Sequence, residues 1–160
     1  MQNLKEKYSE LIKSKEFQND NLYLCSVFKM AEPKNIDSNS IQFSFYNKEN
    51  KRMTSYIIGE IIHIEEEQQR FVLENEPEEL NLNSVKIDFN TAFQKAESYL
   101  KEKSETAVKI IAILQQNKIP FWNITFTTST FHLANIQINA EDGSIIEKSF
   151  NSLLSFGKGV

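Results

Sequence analysis

Two histidines, His63 and His132, and one cysteine, Cys25, are the side chains best suited to metal binding or nucleophilic chemistry. Each lies inside a run of strand-forming residues. Metal sites bring several ligands together, often through closely spaced His or Cys pairs, and neither His-x-His nor Cys-x-x-Cys occurs. We therefore interpret the histidines as hydrogen-bonded strand residues and the cysteine as a buried, inert thiol. We expect no catalytic residue, metal or cofactor.

Acidic residues form the strongest charge feature of the chain. They are Glu65, Glu66, Glu67, Glu74, Glu76, Glu78 and Glu79. The simplest interpretation is a solvated loop surface. The functional alternative is docking to a basic partner, in which charge raises the rate and specificity of association. Calcium binding is disfavoured, because an EF-hand loop needs Asp or Asn at alternate positions and a central Gly.

Three aromatic residues, Phe121, Trp122 and Phe126, adjoin a polar run that extends from Asn123 to Thr130. Aromatic side chains in such strands usually belong to a core, but if exposed they would form a binding patch. The polar run is predicted to be the solvent face and turn of a hairpin, since Thr is favoured in strands. The alternative is a hydroxyl-rich sheet face that holds a peptide or a polar ligand.

Composition limits the classes of partner. The formal net charge of −4 disfavours nucleic acid, whose binding requires clustered Lys and Arg. No apolar run approaches the length of a membrane helix, and the first residues lack the apolar centre of a signal peptide. From these features we expect a cytoplasmic protein that interacts with neither nucleic acid nor membrane.

Hydrophobic periodicity predicts helices and strands in alternating blocks. A helix is predicted over residues 1–17, followed by strands at 21–30, 41–46, 53–64 (bent at Gly59) and 70–73, with a turn at Glu65–Gln69. A second helix over 88–103 precedes strands at 107–115, 121–126, 131–139 and 144–148.

This order predicts an α+β fold of two α-β-β-β-β units, each with a helix packed on an antiparallel sheet. The predicted boundaries are a first unit at 1–75, an acidic connector at 76–87, a second unit at 88–150 and a tail at 151–160. The best local match between the units sets residues 62–72 against 136–146. Each segment ends a strand with Ile-x-Ile, continues through polar residues and closes with two apolar residues.

Three features of residues 88–148 belong together: the alanines on one face of the helix, the strand that carries Trp122, and the hairpin at 138–146 with its Asp-Gly turn. In these features the second unit resembles a PepSY domain. Asn139 stands where that family often has Asp, and Ser144 where it often has an acidic residue. The first unit is similar in element order only, because its turn lacks the Gly.

The PepSY resemblance implies a binding or regulatory module, in a family associated with peptidase inhibition and cell-envelope proteins. We predict a non-catalytic protein–protein interaction or regulatory module that binds an unidentified protein or peptide through a sheet face, a sheet edge or the acidic loop. An inhibitor-like role is what the resemblance adds to this prediction. One alternative is a small-ligand-binding protein or enzyme, with an aromatic pocket between helix and sheet lined by Phe43, Phe45, Trp122 and Phe126. Another is a homodimer formed through the sheets.

Overall fold

The computed structural model describes residues 4–18, 21–36, 40–59, 61–67 and 75–154, with the backbone alone for 63–67. Within these residues, each of two α-helices precedes four strands. The first half contains α1 (Leu4–Lys13), β1 (Leu22–Ala31), β2 (Ile41–Asn47), β3 (Arg52–Ile58) and β4 (Ile62–Glu67). The second contains α2 (Phe89–Glu102), β5 (Ala107–Asn117), β6 (Ile119–Thr128), β7 (His132–Asn139) and β8 (Ile145–Ser152). Short 3-10 turns span Pro33–Asn35 and Leu82–Ser84.

All eight strands form one antiparallel sheet in the order β4-β3-β2-β1-β5-β6-β7-β8. The halves meet where β1 pairs with β5, from Ser26 opposite Gln115 to Ala31 opposite Ile110. The predicted α+β class with antiparallel strands is confirmed. The sequence predicts a sheet for each helix, whereas the structure joins the strands edge to edge in a single sheet.

The strand predicted over 53–64 is wrong, because the chain reverses at Gly59 and forms the β3–β4 hairpin. The Gly59 N–H donates to the Ile61 carbonyl across this tight turn, at 3.3 Å. Isoleucines on both sides of Gly59 conceal the reversal, since no polar break marks it. The turn predicted at 65–69 is also wrong at its start, where Glu65, Glu66 and Glu67 continue β4. The strand predicted at 70–73 lies outside the described residues.

Both helices cover the same face of the sheet through aromatic contacts. The Tyr8 ring of α1 lies 5.8 Å from that of Phe43. In α2, the Phe89 ring lies 5.9 Å from Trp122 and the Phe93 ring 6.0 Å from Phe126. Such aromatic pairs bury large areas and dominate the energetics of a core. None of the helices within the described residues has the length and apolar character needed to cross a membrane.

The segment that leads into α2 is fixed along one end of the sheet. The Tyr23 hydroxyl donates to the Pro77 carbonyl, and the Leu80 N–H donates to the Leu24 carbonyl. The backbone N–H groups of Lys86 and Ile87 both donate to the Ala140 carbonyl. Residues 77–87 therefore follow the strand ends of both halves and bring α2 onto the sheet.

Candidate binding surface

The sheet face opposite the helices carries two rows of accessible side chains that run across β1, β5, β6 and β7. Directly opposed residues of antiparallel strands point to the same face, so the pairing registers define both rows. One row is Met30, Ile111, Thr125 and Asn135; the other is Phe28, Ile113, Asn123 and Gln137. We call these eight residues the helix-free surface.

The helix-free surface is apolar on β1 and β5 and polar on β6 and β7. Met30 is 45% exposed, and the other seven side chains are half-buried. The Asn135 amide donates to Asn123 Oδ1 at 2.5 Å and to Thr125 Oγ1 at 2.9 Å. These bonds hold the polar groups in place before any partner arrives, which lowers the entropy cost of binding. The predicted solvent face is confirmed for Asn123, Thr125 and Thr127, whereas Thr128 of the same polar run is buried.

The same sheet face is buried around the centre of the β2–β3 pair. Ser44 and Ser55 are buried there, and their hydroxyl oxygens lie 2.9 Å apart. The buried Cys25 thiol donates to the Ser44 carbonyl at 3.2 Å. The interpretation of Cys25 as a buried thiol is confirmed. The two rows lie in the part of this face that stays accessible.

The candidate aromatic patch is wrong and the favoured core interpretation is confirmed, because Phe121, Trp122 and Phe126 are all buried. Trp122 is only 3% exposed, and its Nε1 donates to the Ile87 carbonyl at 2.8 Å. Helix α2 covers Trp122 and Phe126, so neither reaches the surface. The predicted aromatic pocket is wrong for the same reason, since Phe43 and Phe45 are buried beneath α1 in one continuous core.

The candidate partner-binding glutamates separate into three groups. Glu65, Glu66 and Glu67 lie in strand β4, and Glu74 lies outside the described residues. Glu76, Glu78 and Glu79 are exposed along the segment that precedes α2. The structure thus places three of the seven in β4 and another three on the segment before α2.

The glutamates of this segment act on neighbouring groups of the protein itself. Glu78 Oε2 accepts a hydrogen bond from the Lys118 N–H at 2.9 Å. Burial raises the pKa of Tyr23 to about 12, and the nearby Glu76 carboxylate adds to the effect. Burial and then Glu79 likewise raise the pKa of Tyr8. Burial and a neighbouring carboxylate both favour the neutral phenol, because each disfavours the negatively charged phenolate.

A cavity of about 550 Å³ lies between α1, the start of β1 and the segment before α2. Its lining residues are Lys5, Tyr8, Leu24, Glu79, Leu80, Asn81, Leu82 and Asn83. It places an ammonium, a carboxylate and a phenol near leucine side chains. Sequence reasoning missed this cavity, because its two walls are far apart in the chain. The only signal is the three-residue spacing of Lys5 and Tyr8, which puts both on one helix face.

His132 belongs to a hydrogen-bonded cluster at the β6–β7 turn. The Thr130 hydroxyl donates to the Glu105 carboxylate, with oxygen separations of 2.6 and 2.8 Å. That hydroxyl lies 2.8 Å from His132 Nδ1. Since its single proton is directed at Glu105, Nδ1 must donate to Thr130, which is the reverse of a base activating a nucleophile. The His132 ring also stacks on Phe150, with ring centroids 4.6 Å apart. The cluster stabilises the turn.

The interpretation of His132 as a hydrogen-bonded strand residue is confirmed. The backbone of His63 pairs with Ile57 in the β3–β4 hairpin, and its side chain lies outside the described part. Across the described ranges, no three His, Cys, Asp or Glu side chains are arranged to hold a metal ion.

Comparison with known proteins does not assign the chain to a family. No protein-family model matches the chain, and no curated protein matches it. Among solved structures, the chain is similar to a "putative lipoprotein" from Clostridium difficile 630, with 12% sequence identity and a TM-score of 0.44. That match covers 92% of this chain and 87% of the other.

Proposed function

We propose that the protein is a non-catalytic protein-binding module whose working site is the helix-free surface. The observation that carries this proposal is the pair of cross-strand rows, each apolar on β1–β5 and polar on β6–β7. Protein interfaces combine an apolar centre with hydrogen-bonding groups around it. Small-molecule sites are instead concave clefts, whereas these two rows line a sheet face.

Four neighbouring apolar side chains supply the centre of the proposed interface. They are Phe28, Met30, Ile111 and Ile113, which face one another across the β1–β5 seam. Asn123, Thr125, Asn135 and Gln137 extend the same rows with amide and hydroxyl groups. A partner with an apolar ridge beside backbone or side-chain amides matches both parts of this surface.

The exposed glutamates before α2 lie at one end of the sheet and add a role in partner selection. Glu76, Glu78 and Glu79 would attract a partner with basic residues near its apolar ridge. Charges at the rim of an interface mainly change the association rate and its salt dependence. In this account the glutamates steer the partner, while the helix-free surface supplies the binding free energy.

The two-unit organisation is part of the same proposal. Each α-helix precedes four strands, and the sheet order is symmetrical about the β1–β5 seam. These features support duplication of one α-β-β-β-β unit. The PepSY-like hairpin of the second unit has its Gly143 at a φ of 79°, the conformation that an Asp-Gly turn favours. We carry the inhibitor-like mode of binding forward on the basis of this resemblance.

A small-ligand-binding function is the second candidate, and the cavity beside Lys5, Tyr8 and Glu79 favours it. An ammonium and a carboxylate on opposing walls suit a small zwitterion. A thermal-shift screen of amino acids against wild-type protein and a Lys5→Ala, Glu79→Ala variant tests this candidate. A stabilising ligand that loses its effect in the variant would support the cavity. No stabilisation of wild type would count against it.

The protein-binding proposal is tested with two matched variants, Met30→Glu and Ile12→Glu. Met30 lies on the helix-free surface and is 45% exposed, whereas Ile12 lies on α1 and is 42% exposed. Each variant therefore adds the same charge at an equally exposed apolar position. Wild-type and variant proteins are immobilised after their folding is checked, and partners are captured from lysate of the source cells.

We expect one protein to be captured by wild type and by Ile12→Glu and to be lost with Met30→Glu. Adding a charge to the apolar centre of an interface leaves it desolvated without a partner, which costs roughly 2–5 kcal/mol. Equal capture by both variants would place the interface elsewhere. Capture of no protein by wild type would contradict the proposal and favour the cavity.

A further inference from the structure

The turn between β7 and β8 contains the one Asp-Gly pair of the chain, Asp142–Gly143. Such a pair is chemically labile, because glycine has no side chain to shield its amide nitrogen from the neighbouring carboxyl group. Asp142 is exposed on this turn, whereas Gly143 is buried. The pair thus combines a reactive sequence with an accessible carboxyl group, and the contacts around it decide whether it reacts.

The reaction open to this pair is isomerisation through a cyclic imide. The Gly143 amide nitrogen attacks the carboxyl carbon of protonated Asp142, and the new C–N bond closes a five-membered ring. One water molecule leaves, formed from the carboxyl hydroxyl and the amide proton. A second water then opens the ring. Opening at the main-chain carbonyl routes the chain through the side-chain carboxyl carbon, so isoaspartate replaces aspartate without any other co-reactant.

Ser144 restrains the carboxylate that would be attacked. Asp142 Oδ1 accepts the Ser144 hydroxyl at 2.7 Å and the Ser144 N–H at 2.8 Å, so the carboxylate must rotate out of both bonds to react. These two bonds lower the pKa of Asp142, and the Lys95 ammonium adds to the effect. Only the protonated carboxyl group loses water readily, so a lowered pKa reduces the reactive fraction at neutral pH.

The attacking nitrogen is restrained as well. The Gly143 N–H donates to the Asn139 carbonyl at 2.8 Å. On the other side of the same residue, Lys95 Nζ donates to the Gly143 carbonyl at 2.7 Å. Ring closure has to turn the Gly143 amide against both bonds. A reaction of this kind needs its two atoms in near-attack geometry, and a backbone held at both ends seldom reaches it.

We propose that Asp142–Gly143 is a site of spontaneous isoaspartate formation, and that the Ser144 hydroxyl keeps the reaction slow in the folded protein. The hydroxyl is the specific element, because almost any residue at this position supplies a backbone N–H. An ionised carboxylate at position 144 could donate no hydrogen bond and would repel the Asp142 carboxylate. The identity of residue 144 therefore sets the rate at which this turn changes.

Isomerisation would alter how the β7–β8 turn contacts helix α2. Isoaspartate adds one carbon to the main chain, which would displace the Gly143 carbonyl from Lys95 Nζ and break the bond between turn and helix. The product would also lose the side-chain geometry by which Asp142 accepts both Ser144 donors. The inference concerns this turn alone, so it stands or fails apart from the proposed function.

The first test follows isoaspartate at Asp142 by peptide mapping during incubation at neutral pH. It compares wild type with Ser144→Ala and with the control Ser149→Ala, which removes a hydroxyl from β8 outside the turn. We expect Ser144→Ala to react about tenfold faster than wild type, a factor that corresponds to the loss of one hydrogen bond to a charged group. Ser149→Ala should match wild type. Equal rates in wild type and Ser144→Ala would overturn the inference.

A second test separates the hydroxyl from any general loosening of the fold. Ser144→Thr keeps the hydroxyl and is expected to retain the slow rate of wild type. In urea, wild type and Ser144→Ala should react at one common, faster rate, because the restraint exists only in the folded turn. A fast Ser144→Thr variant, or a folded wild type that reacts as fast as the unfolded chain, would contradict the role of the hydroxyl.

Discussion

At the scale of single residues, structural hydrogen bonds and not reactive groups account for the conspicuous side chains. Cys25, His132 and Trp122 each have a specific backbone or side-chain partner. Sequence reasoning predicted the roles of the first two correctly, because isolated His and Cys residues in strands are usually structural. It did not find that Glu105 and Thr130 complete the His132 cluster, since Glu105 lies far away in the sequence, in the loop between α2 and β5.

Tyr23 provides a pH prediction at this scale. Its pKa rises from the ordinary 10.0 to about 12, so the folded state retains the phenolic proton longer than the unfolded state. This contribution to stability is complete below pH 10 and is lost as the pH rises towards 12. We expect Tyr23→Phe to lose one absorbance transition near pH 12 in a tyrosine titration. Loss of a transition near pH 10 instead would contradict the assignment.

The same variant has an expected cost at neutral pH. Tyr23→Phe removes the hydrogen bond to the Pro77 carbonyl, which contributes about 1 kcal/mol to the free energy of unfolding. Denaturant titration measures this change at neutral pH. A variant as stable as wild type would show that the bond to the segment before α2 contributes nothing.

At the scale of elements, local signals predict the second half better than the first. Helix α2 was predicted over 88–103 and spans Phe89–Glu102, because its apolar stripe is continuous and Asp88 can cap it. The Asp-Gly turn was also predicted, and Gly143 has the expected positive φ. In the first half the isoleucines around Gly59 remove the polar break that a turn prediction needs, so β3 and β4 were merged.

The Asp88 cap is tested by substitution. Its carboxylate accepts a hydrogen bond from the Thr91 N–H at 2.8 Å and satisfies a donor that the helix leaves unpaired. We expect Asp88→Ala to lower the free energy of unfolding by about 1 kcal/mol and Asp88→Asn to change it little. Equal loss in both variants would indicate that charge, and not the cap, stabilises this end.

The two described turn glycines form a second matched pair. At Gly143 a side chain would meet a φ of 79° and a Cβ 3.0 Å from Lys95 Nζ. At Gly59 an added Cβ would meet no heavy atom within 4 Å. We expect Gly143→Ala to cost about 1–2 kcal/mol, because left-handed backbone is unfavourable for Ala, and Gly59→Ala to cost less. Thermal unfolding of both variants measures the difference, and the reverse order would contradict the turn geometry.

At the scale of the whole molecule, the central feature is a single sheet that joins both halves. Sequence reasoning did not predict it, because the β1–β5 seam pairs residues 26–31 with residues 110–115 and has no local signal. The helix-free surface was missed for the same reason, since its rows run across strands and not along them. Only Asn123 and Thr125 of its polar part were recognised, as polar residues of β6.

The shared sheet and core predict that the halves unfold together. Buried residues from both halves form one cluster, and the seam strands lie at its centre. We expect Trp122 fluorescence, which reports on the second half, and far-ultraviolet circular dichroism to give the same denaturant midpoint. Separate midpoints would show two independent folding units.

The measurement that tests the central claim most directly is site-specific photo-crosslinking in the source cells. A photoreactive side chain replaces Asn123 on the helix-free surface or, as the control, Ile12 on α1. The account predicts one covalent adduct with a different protein at Asn123 and none at Ile12. No adduct at Asn123, or the same adduct at both positions, would contradict the assignment of this sheet face as the binding site.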